Sequence, residues 1–343
     1  MRYGWKIDDI ENKLKQLPND SEGATYAKSV YQEMIHDYHG QQAEEETKIP
    51  KSLFLDAIES FSQSYSADLD STIAIYLGSL FSAGGIELPT VNLPSYPTEQ
   101  VVDTANSFIK HSWDSHYFFK RVTNNSSRLQ HFEATLSPTF LGKSYLLQKN
   151  EYYILINGVH GVQDTITLLH EGTHVEDYIK LIDRVPVKYR ELSALTREHY
   201  GFDYMEAYED TDEVNNARIM SLMHYLARAI SLYESVTLAF NMKANEELYH
   251  YVSEHYDKFC NEAEVNKIYK ILSEGFDEEV DYVLSLILSL EIYYNCEVKE
   301  APHFISVYQS GIRPISCKVV DRIAPRLLEI IYKKPNYKAK EKA

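Results

Sequence analysis

Cysteine is scarce in this chain of 343 residues, which carries Cys260, Cys296 and Cys317 and no CxxC pair. Three widely spaced cysteines indicate neither a disulfide framework nor a cysteine-based zinc site. The first residues contain no apolar stretch of the kind found in a signal peptide. Together these observations predict a cytoplasmic protein, since thiols stay reduced in that compartment.

Positive charge is also scarce, because 34 Lys and Arg residues face 51 Asp and Glu residues and give a formal net charge of −17. Proteins that bind nucleic acid need a basic surface, so no nucleic acid partner is expected. Long hydrophobic runs are missing as well, and no window reaches the ~20 apolar residues of a membrane span. We therefore expect no membrane partner.

Apolar residues recur at three- and four-residue spacing through most of the chain, which predicts helices. The clearest exception is residues 151–158, EYYILING, a short β-branched and aromatic run that predicts a strand. The expected fold is mainly α, with a small β-sheet next to the helix that starts near Asp164, and it could be bilobal. We predict an N-terminal helical lobe over 1–135 and a second region over 136–343.

The segment LLHEGTHVEDY contains an HExxH motif inside this predicted helix. His170 and His174 are four residues apart, so they lie on one face of a helix and can converge on one metal ion. Glu171 is then placed to deprotonate a water on that metal. Asp164 is predicted to cap the start of the helix. The alternative interpretation is a helix with two unrelated histidines, because HExxH also arises by chance.

A catalytic zinc site needs a third protein ligand and one open position. The carboxylates downstream of the motif are Glu191, Glu198, Glu206, Glu209 and Glu213. Acidic residues are densest around MEAYEDTDE, where Glu206, Asp210 and Glu213 share one helical face. We predict Glu206 as the third ligand, with Asp210 or Glu213 accepting the N–H of a ligand histidine. A solvated acidic face is the alternative. Zn²⁺ is the expected cofactor, although two His and one Glu also suit Mn or Co.

The stretch YYILINGVHGVQDTITLLHEGTHVEDY resembles the thimet oligopeptidase and oligoendopeptidase F family of zinc peptidases. In that family an apolar strand and a glycine-containing loop with an Asp precede a helix bearing HExGH. MEAYEDTDE is similar to the family segment with a Glu ligand and a second Glu seven residues later, which implies Glu206 and Glu213 in those places. APHFISVYQSG is similar to a C-terminal Pro-His-Phe and Tyr-rich segment, which implies that His303 and Tyr308 bind substrate and stabilise the oxyanion.

The chain departs from the family pattern at several points. Gly172 comes one position early, the interval from His174 to Glu206 is long, and the segment after His303 is short. The resemblance implies a zincin-like (gluzincin) fold, with 136–343 as the catalytic metallopeptidase region. It also implies an enzyme that hydrolyses peptide bonds in oligopeptides, with a water on zinc activated by Glu171. One alternative is a non-catalytic, metal-containing binding protein on a peptidase scaffold. Another is a metal-dependent hydrolase that acts on a different bond.

Overall fold

A computed structural model describes residues 4, 6–18, 22–39, 49–82, 96–112, 128–131, 141–148, 151–158, 161–181, 189–209, 211–259, 262–310 and 315–332. Most of them are helical, which confirms the prediction of a mainly α fold. The helices before the sheet are α1 Ile7–Gln16, α2 Glu22–Tyr38, α3 Lys51–Ser64, α4 Leu69–Ser82 and α5 Thr98–Ser112.

A small sheet comes next, made of β1 Leu129–His131, β2 Gly142–Gln148 and β3 Glu151–Ile156, in the order β1-β3-β2. β1 is parallel to β3, and β2 is antiparallel to it. β3 confirms the strand expected over 151–158. β1 has three residues and β2 mixes polar with apolar ones, so neither carries a strong local strand signal, and both depend on pairing with β3.

The remaining helices complete the fold. They are α6 Val162–Leu181, α7 Leu192–Glu206, α8 Thr211–Ala244, α9 Glu246–Glu254, α10 Tyr256–Phe259, α11 Glu262–Glu274, α12 Asp277–Asn295, α13 Ala301–Gln309 and α14 Cys317–Tyr332. The HExxH motif lies on α6, directly after the sheet. Within the described ranges, no helix has the length and apolar character needed to cross a membrane.

The sheet is covered by helices on both faces. Tyr153 and Leu155 of β3 pack with apolar residues of α1 and α2 on one face. Tyr152, Ile154 and Ile156 pack on the other face with α5, α6 and α7. Successive side chains of a strand point to opposite faces, so each face of β3 is buried in a separate core and α6 is held firmly against the sheet.

The largest core lies among α3, α4, α8 and α12, with contributions from α7, α13 and α14. Each of the three cores combines residues from before and after position 135. The first joins Phe54 and Leu77 to Leu226, and the other two join α5 or α1 to residues of the sheet. The proposed division into 1–135 and 136–343 stays a prediction, and the packing shows that the two parts share their cores.

Candidate metal centre

Helix α6 brings the two motif histidines together at its contact with α7. His170 and His174 are one helical turn apart, and their Nε2 atoms lie 3.0 Å from each other. His170 is buried, and the side chain of His174 is 19% exposed. The pair is therefore largely shielded from water, yet one of its members can still be reached.

Glu191 supplies a carboxylate to the same point. It stands directly before the first residue of α7, and its Oε2 lies 3.1 Å from Nε2 of His170 and 3.1 Å from Nε2 of His174. The three residues form a group whose ligating atoms are close enough to hold one metal ion.

Glu198 holds the other side of the His170 ring. Its Oε1 lies 2.5 Å from His170 Nδ1, and its Oε2 accepts a hydrogen bond from the hydroxyl of Ser221 on α8. An ionised carboxylate only accepts hydrogen bonds, so Nδ1 of His170 carries the proton. When the ring is neutral, its Nε2 presents a lone pair toward Glu191 and His174, as metal ligation requires.

The donor set fits a divalent cation. Ligating atoms around a tetrahedral zinc ion, each about 2.0–2.1 Å from the metal, lie roughly 3.3 Å apart. The separations of 3.0 Å and 3.1 Å between the three atoms are close to that spacing. Two imidazoles and one carboxylate are also a usual zinc set with a fourth position left open.

Charges within the group reinforce one another. Burial by itself would lower the pKa of His170, but hydrogen bonds and attraction from Glu191 and Glu198 raise it well above the ordinary value. Burial would raise the pKa of Glu191, but the positive charges and hydrogen bonds of His174 and His170 hold it well below. A site that favours positive charge this strongly suits a dication in place of the protons.

Glu171 lies beside the edge of the sheet. It is 7% exposed. A Cβ atom placed on Gly142, the first residue of β2, would lie 3.1 Å from Cγ of Glu171 and 2.3 Å from Cγ2 of Thr167. Only glycine permits β2 to approach α6 this closely, and the approach puts the start of β2 next to the predicted general base.

The structure does not bring Glu206 to the histidines. Its Oε1 lies 3.3 Å from Nη2 of Arg218, and its side chain is 35% exposed. Glu206 is the last residue of α7, whereas Glu191 precedes the first. Fifteen residues of helix separate their positions by about 22 Å. Glu191, and not the expected Glu206, therefore lies with His170 and His174 in the group that could hold a metal ion.

Glu213 contacts the start of helix α6 rather than a motif histidine. Its Oε1 accepts a hydrogen bond from the backbone N–H of Val162 at 3.2 Å. A carboxylate there satisfies a free N–H group and complements the positive end of α6. The carboxylate that contacts Nδ1 of a motif histidine is Glu198, on His170. Asp210, the other residue expected in that role, lies outside the described residues.

Asp164 does not have the predicted capping position. Helix α6 begins at Val162, so Asp164 is its third residue. Its side chain is buried, with Oδ2 3.2 Å from Nε2 of His131 on β1. The local sequence suggested a cap, but the parallel pairing of β1 brings a buried histidine to this carboxylate.

His303 and Tyr308 both lie on α13. His303 is exposed, whereas Tyr308 is 3% exposed within the largest core. The next residue, Gln309, donates hydrogen bonds to the Tyr189 carbonyl and the Ser193 hydroxyl, both at 3.4 Å. The end of α13 thus approaches the segment that carries Glu191. The substrate-binding and oxyanion roles of His303 and Tyr308 stay predictions.

The sequence did contain a signal for Glu191 as a possible third ligand. The spacing of seven residues between two glutamates, used to select Glu206 and Glu213, is also met by Glu191 and Glu198. Glu191 follows His174 by 17 residues, a much shorter interval than the one to Glu206. The high density of acidic residues after Glu206 favoured Glu206 and Glu213 instead. A dense acidic segment is as typical of a solvent-exposed surface as of a metal site.

No family model matches the chain, and no curated protein matches it. Solved structures do. One is a protein from Bacillus anthracis, provisionally described as oligoendopeptidase F, with 12% identity and a TM-score of 0.43 over 95% of this chain and 63% of that one. A second, also provisionally described as oligoendopeptidase F and determined by X-ray analysis at 3.1 Å, has 12% identity and a TM-score of 0.46 over 96% and 66%.

A third, provisionally described as a peptidase from Chlamydophila abortus, has 9% identity and a TM-score of 0.45 over 95% of this chain and 62% of that one. This chain therefore covers less than two thirds of each of these structures. The similarity to all three is distant, with identities of 9–12% and TM-scores of 0.43–0.46.

Proposed function

We propose that the chain is a zinc-dependent metallopeptidase that hydrolyses peptide bonds in oligopeptides. His170, His174 and Glu191 would hold the metal, and Glu171 would serve as general base. The observation that carries this proposal is the convergence of three lone-pair atoms at 3.0–3.1 Å, on the helix where Glu171 follows the first ligand. We infer the oligopeptide substrate from the family resemblance and from the strand edge beside Glu171.

Zinc, when bound, would supply a Lewis acid that polarises the scissile carbonyl and acidifies a water. The chain supplies the rest. Glu198 fixes the ring of His170 in the orientation and tautomer that ligation needs, and Ser221 holds Glu198 in turn. Such partners of metal ligands commonly set metal affinity.

Glu171 acts as the proton carrier. Its carboxylate accepts a proton from the attacking water and passes it to the leaving amine, which a general base next to the reacting centre can do. Its position beside β2 matters for the substrate, because an extended peptide can add to a strand edge by backbone hydrogen bonds. A peptide at this edge would lie alongside Glu171.

The test compares the native chain with Glu171→Gln, which keeps the shape of the side chain but cannot take a proton. We expect one zinc per chain in both proteins by elemental analysis, and a loss of roughly 10²-fold or more in peptide cleavage for the variant. Equal cleavage rates would refute the assigned base. Bound zinc with no cleavage of any peptide in a broad library would support a non-catalytic binding protein instead.

A further inference from the structure

Among the described residues, no strand pairs with the outer edge of β2, and the backbone of β2 presents alternate residues to that edge. The N–H of Asn157 donates to the carbonyl of Leu141 at 2.8 Å, which makes this antiparallel pair a hydrogen-bonded one. Because hydrogen-bonded pairs alternate along an antiparallel ladder, Lys143 and Tyr145 also point their backbone groups at β3. The backbone groups of the residues between and beyond them, Gly142, Ser144 and Leu146, therefore point away from the sheet.

The two ends of this edge differ. Gly142 lies beside Glu171. At the other end the hydroxyl of Tyr26, on α2, donates a hydrogen bond to the carbonyl of Leu146 at 2.8 Å. The register of β2 on β3 also shifts between Leu146 and Gln148. An irregularity of this kind interrupts regular pairing. The Tyr26 hydrogen bond and the register shift therefore both limit pairing at the Leu146 end of the edge.

Tyr26 is held there by its helix. Asp37, farther along α2, accepts hydrogen bonds from the Tyr145 hydroxyl at 2.6 Å and from Nζ of Lys143 at 3.1 Å. Both partners are residues of β2, so α2 is tied to the strand over much of its length. Tyr178, on α6, is also near Tyr26, since burial and the neighbouring Tyr26 phenol together raise the pKa of Tyr178.

We propose that Tyr26 determines substrate length by closing the edge of β2 at Leu146, so that a bound peptide pairs only with Gly142 and Ser144. This inference rests on the proposed peptidase function. A peptide that runs antiparallel to β2 pairs every second residue with the edge. The peptide residue opposite Gly142 can pair with the Gly142 backbone, and the peptide residue two positions earlier can pair with the Ser144 backbone. The peptide residue four positions earlier lies opposite Leu146, whose carbonyl already accepts the hydrogen bond from Tyr26.

The test uses zinc-loaded protein and acetylated peptide hydroxamates of the form (Ala)n-Leu-NHOH, lengthened by one alanine at a time. The hydroxamate binds the metal and fixes the register, and affinity is measured by calorimetry without any turnover. We compare the native chain with Tyr26→Ala and with Tyr251→Ala. The latter is a matched control, because Tyr251 lies on α9 and is 55% exposed, against 53% for Tyr26.

In the native protein we expect affinity to rise as the peptide reaches Ser144, by about two- to tenfold for each added backbone hydrogen bond, and then to stay level. In Tyr26→Ala the rise should continue for the residues that reach Leu146, whereas Tyr251→Ala should match the native profile. If the alanine variant fails to fold, Tyr26→Phe provides the comparison, since it uncovers the carbonyl and keeps the ring.

The role of Tyr26 would be overturned if affinity stopped rising at the same peptide length in the native protein and the Tyr26 variant, or if it rose without a limit in both. Either result would leave the proposed metal site unaffected. Hydroxamates that bind none of the zinc-treated proteins would overturn the proposed metal centre and this inference with it.

Discussion

Glu191 and Glu206 flank the same helix and have different surroundings. Glu191 is buried against two imidazoles, whereas Glu206 is partly exposed and paired with Arg218. A buried carboxylate needs a positive partner, which protonated imidazoles or a bound cation would supply, whereas a partly exposed one paired with an arginine already has its partner. The surroundings of each carboxylate, rather than its spacing from other acidic residues, therefore distinguish a candidate metal ligand from a surface charge.

Replacing each glutamate by glutamine tests this difference. Glu191→Gln should weaken zinc binding by at least about 100-fold, because loss of a direct ligand should cost no less than loss of a partner of a ligand. Glu206→Gln should leave zinc affinity nearly unchanged. Competition with a chromophoric chelator measures both. A loss confined to Glu206→Gln would restore the ligand expected from the acidic cluster.

At the scale of elements, the contact between α4 and α8 depends on a glycine. A Cβ atom on Gly78 would lie 2.1 Å from the carbonyl oxygen of Ala229, and backbone cannot give way as a side-chain tip can. Gly23 on α2 has nothing within 4 Å of the same position. Only the first glycine is thus required by packing.

We expect Gly78→Ala to lower the free energy of unfolding by about 1–3 kcal/mol, the usual range for overpacking. Gly23→Ala should be neutral or stabilising by up to about 1 kcal/mol, since alanine is the better helix former. Urea unfolding of both variants gives the comparison. Equal effects would mean that α4 and α8 are not in this close contact.

His199 makes the packing of α7 on α12 sensitive to acid. Its Nε2 lies 3.0 Å from the hydroxyl of Ser289, and burial, with a smaller contribution from the charge of Arg218, lowers its pKa to about 3. The unfolded chain takes up a proton at this residue near pH 6.5, while the folded chain does not. Its contribution to stability is therefore complete above pH 6.5 and is lost as pH falls toward 3.

This loss amounts to about 1.4 kcal/mol per pH unit, so about 2 kcal/mol between pH 6.5 and pH 5. In His199→Gln, which can still bond to Ser289, the free energy of unfolding should fall less over the same interval. Urea titrations of both proteins at several pH values measure the difference. Identical pH dependence would show that His199 does not resist protonation in the folded state.

For the whole molecule, the shared cores predict that the two proposed parts do not fold independently. Phe54 and Leu77, from the first part, are fully buried against helices of the second. A chain of residues 136–343 alone would expose these helical faces to water, at a cost of roughly 1.5–3 kcal/mol for each large side chain uncovered. We expect it to lack a cooperative thermal transition by calorimetry. A sharp transition in the fragment would instead support the predicted boundary.

The sequence by itself determined the helical class, strand β3 and the position of the HExxH helix, because these depend on local periodicity and on residues four apart. It also placed His170, Glu171 and His174 in a pattern typical of a metal site. Strands β1 and β2 were not predicted, since a three-residue strand and a mixed one gain their structure from a neighbour.

Only the tertiary structure decided which carboxylate faces the histidines. Every glutamate between 191 and 213 has the same chemistry, and the packing of α7 on α6 puts Glu191 and Glu198 at the rings while it carries Glu206 four turns away. Contacts between elements that are distant in sequence produce no recognisable periodic pattern in the sequence of either element. The hydrogen bond between Tyr26 and Leu146, which are 120 residues apart in sequence, likewise depends on the tertiary structure.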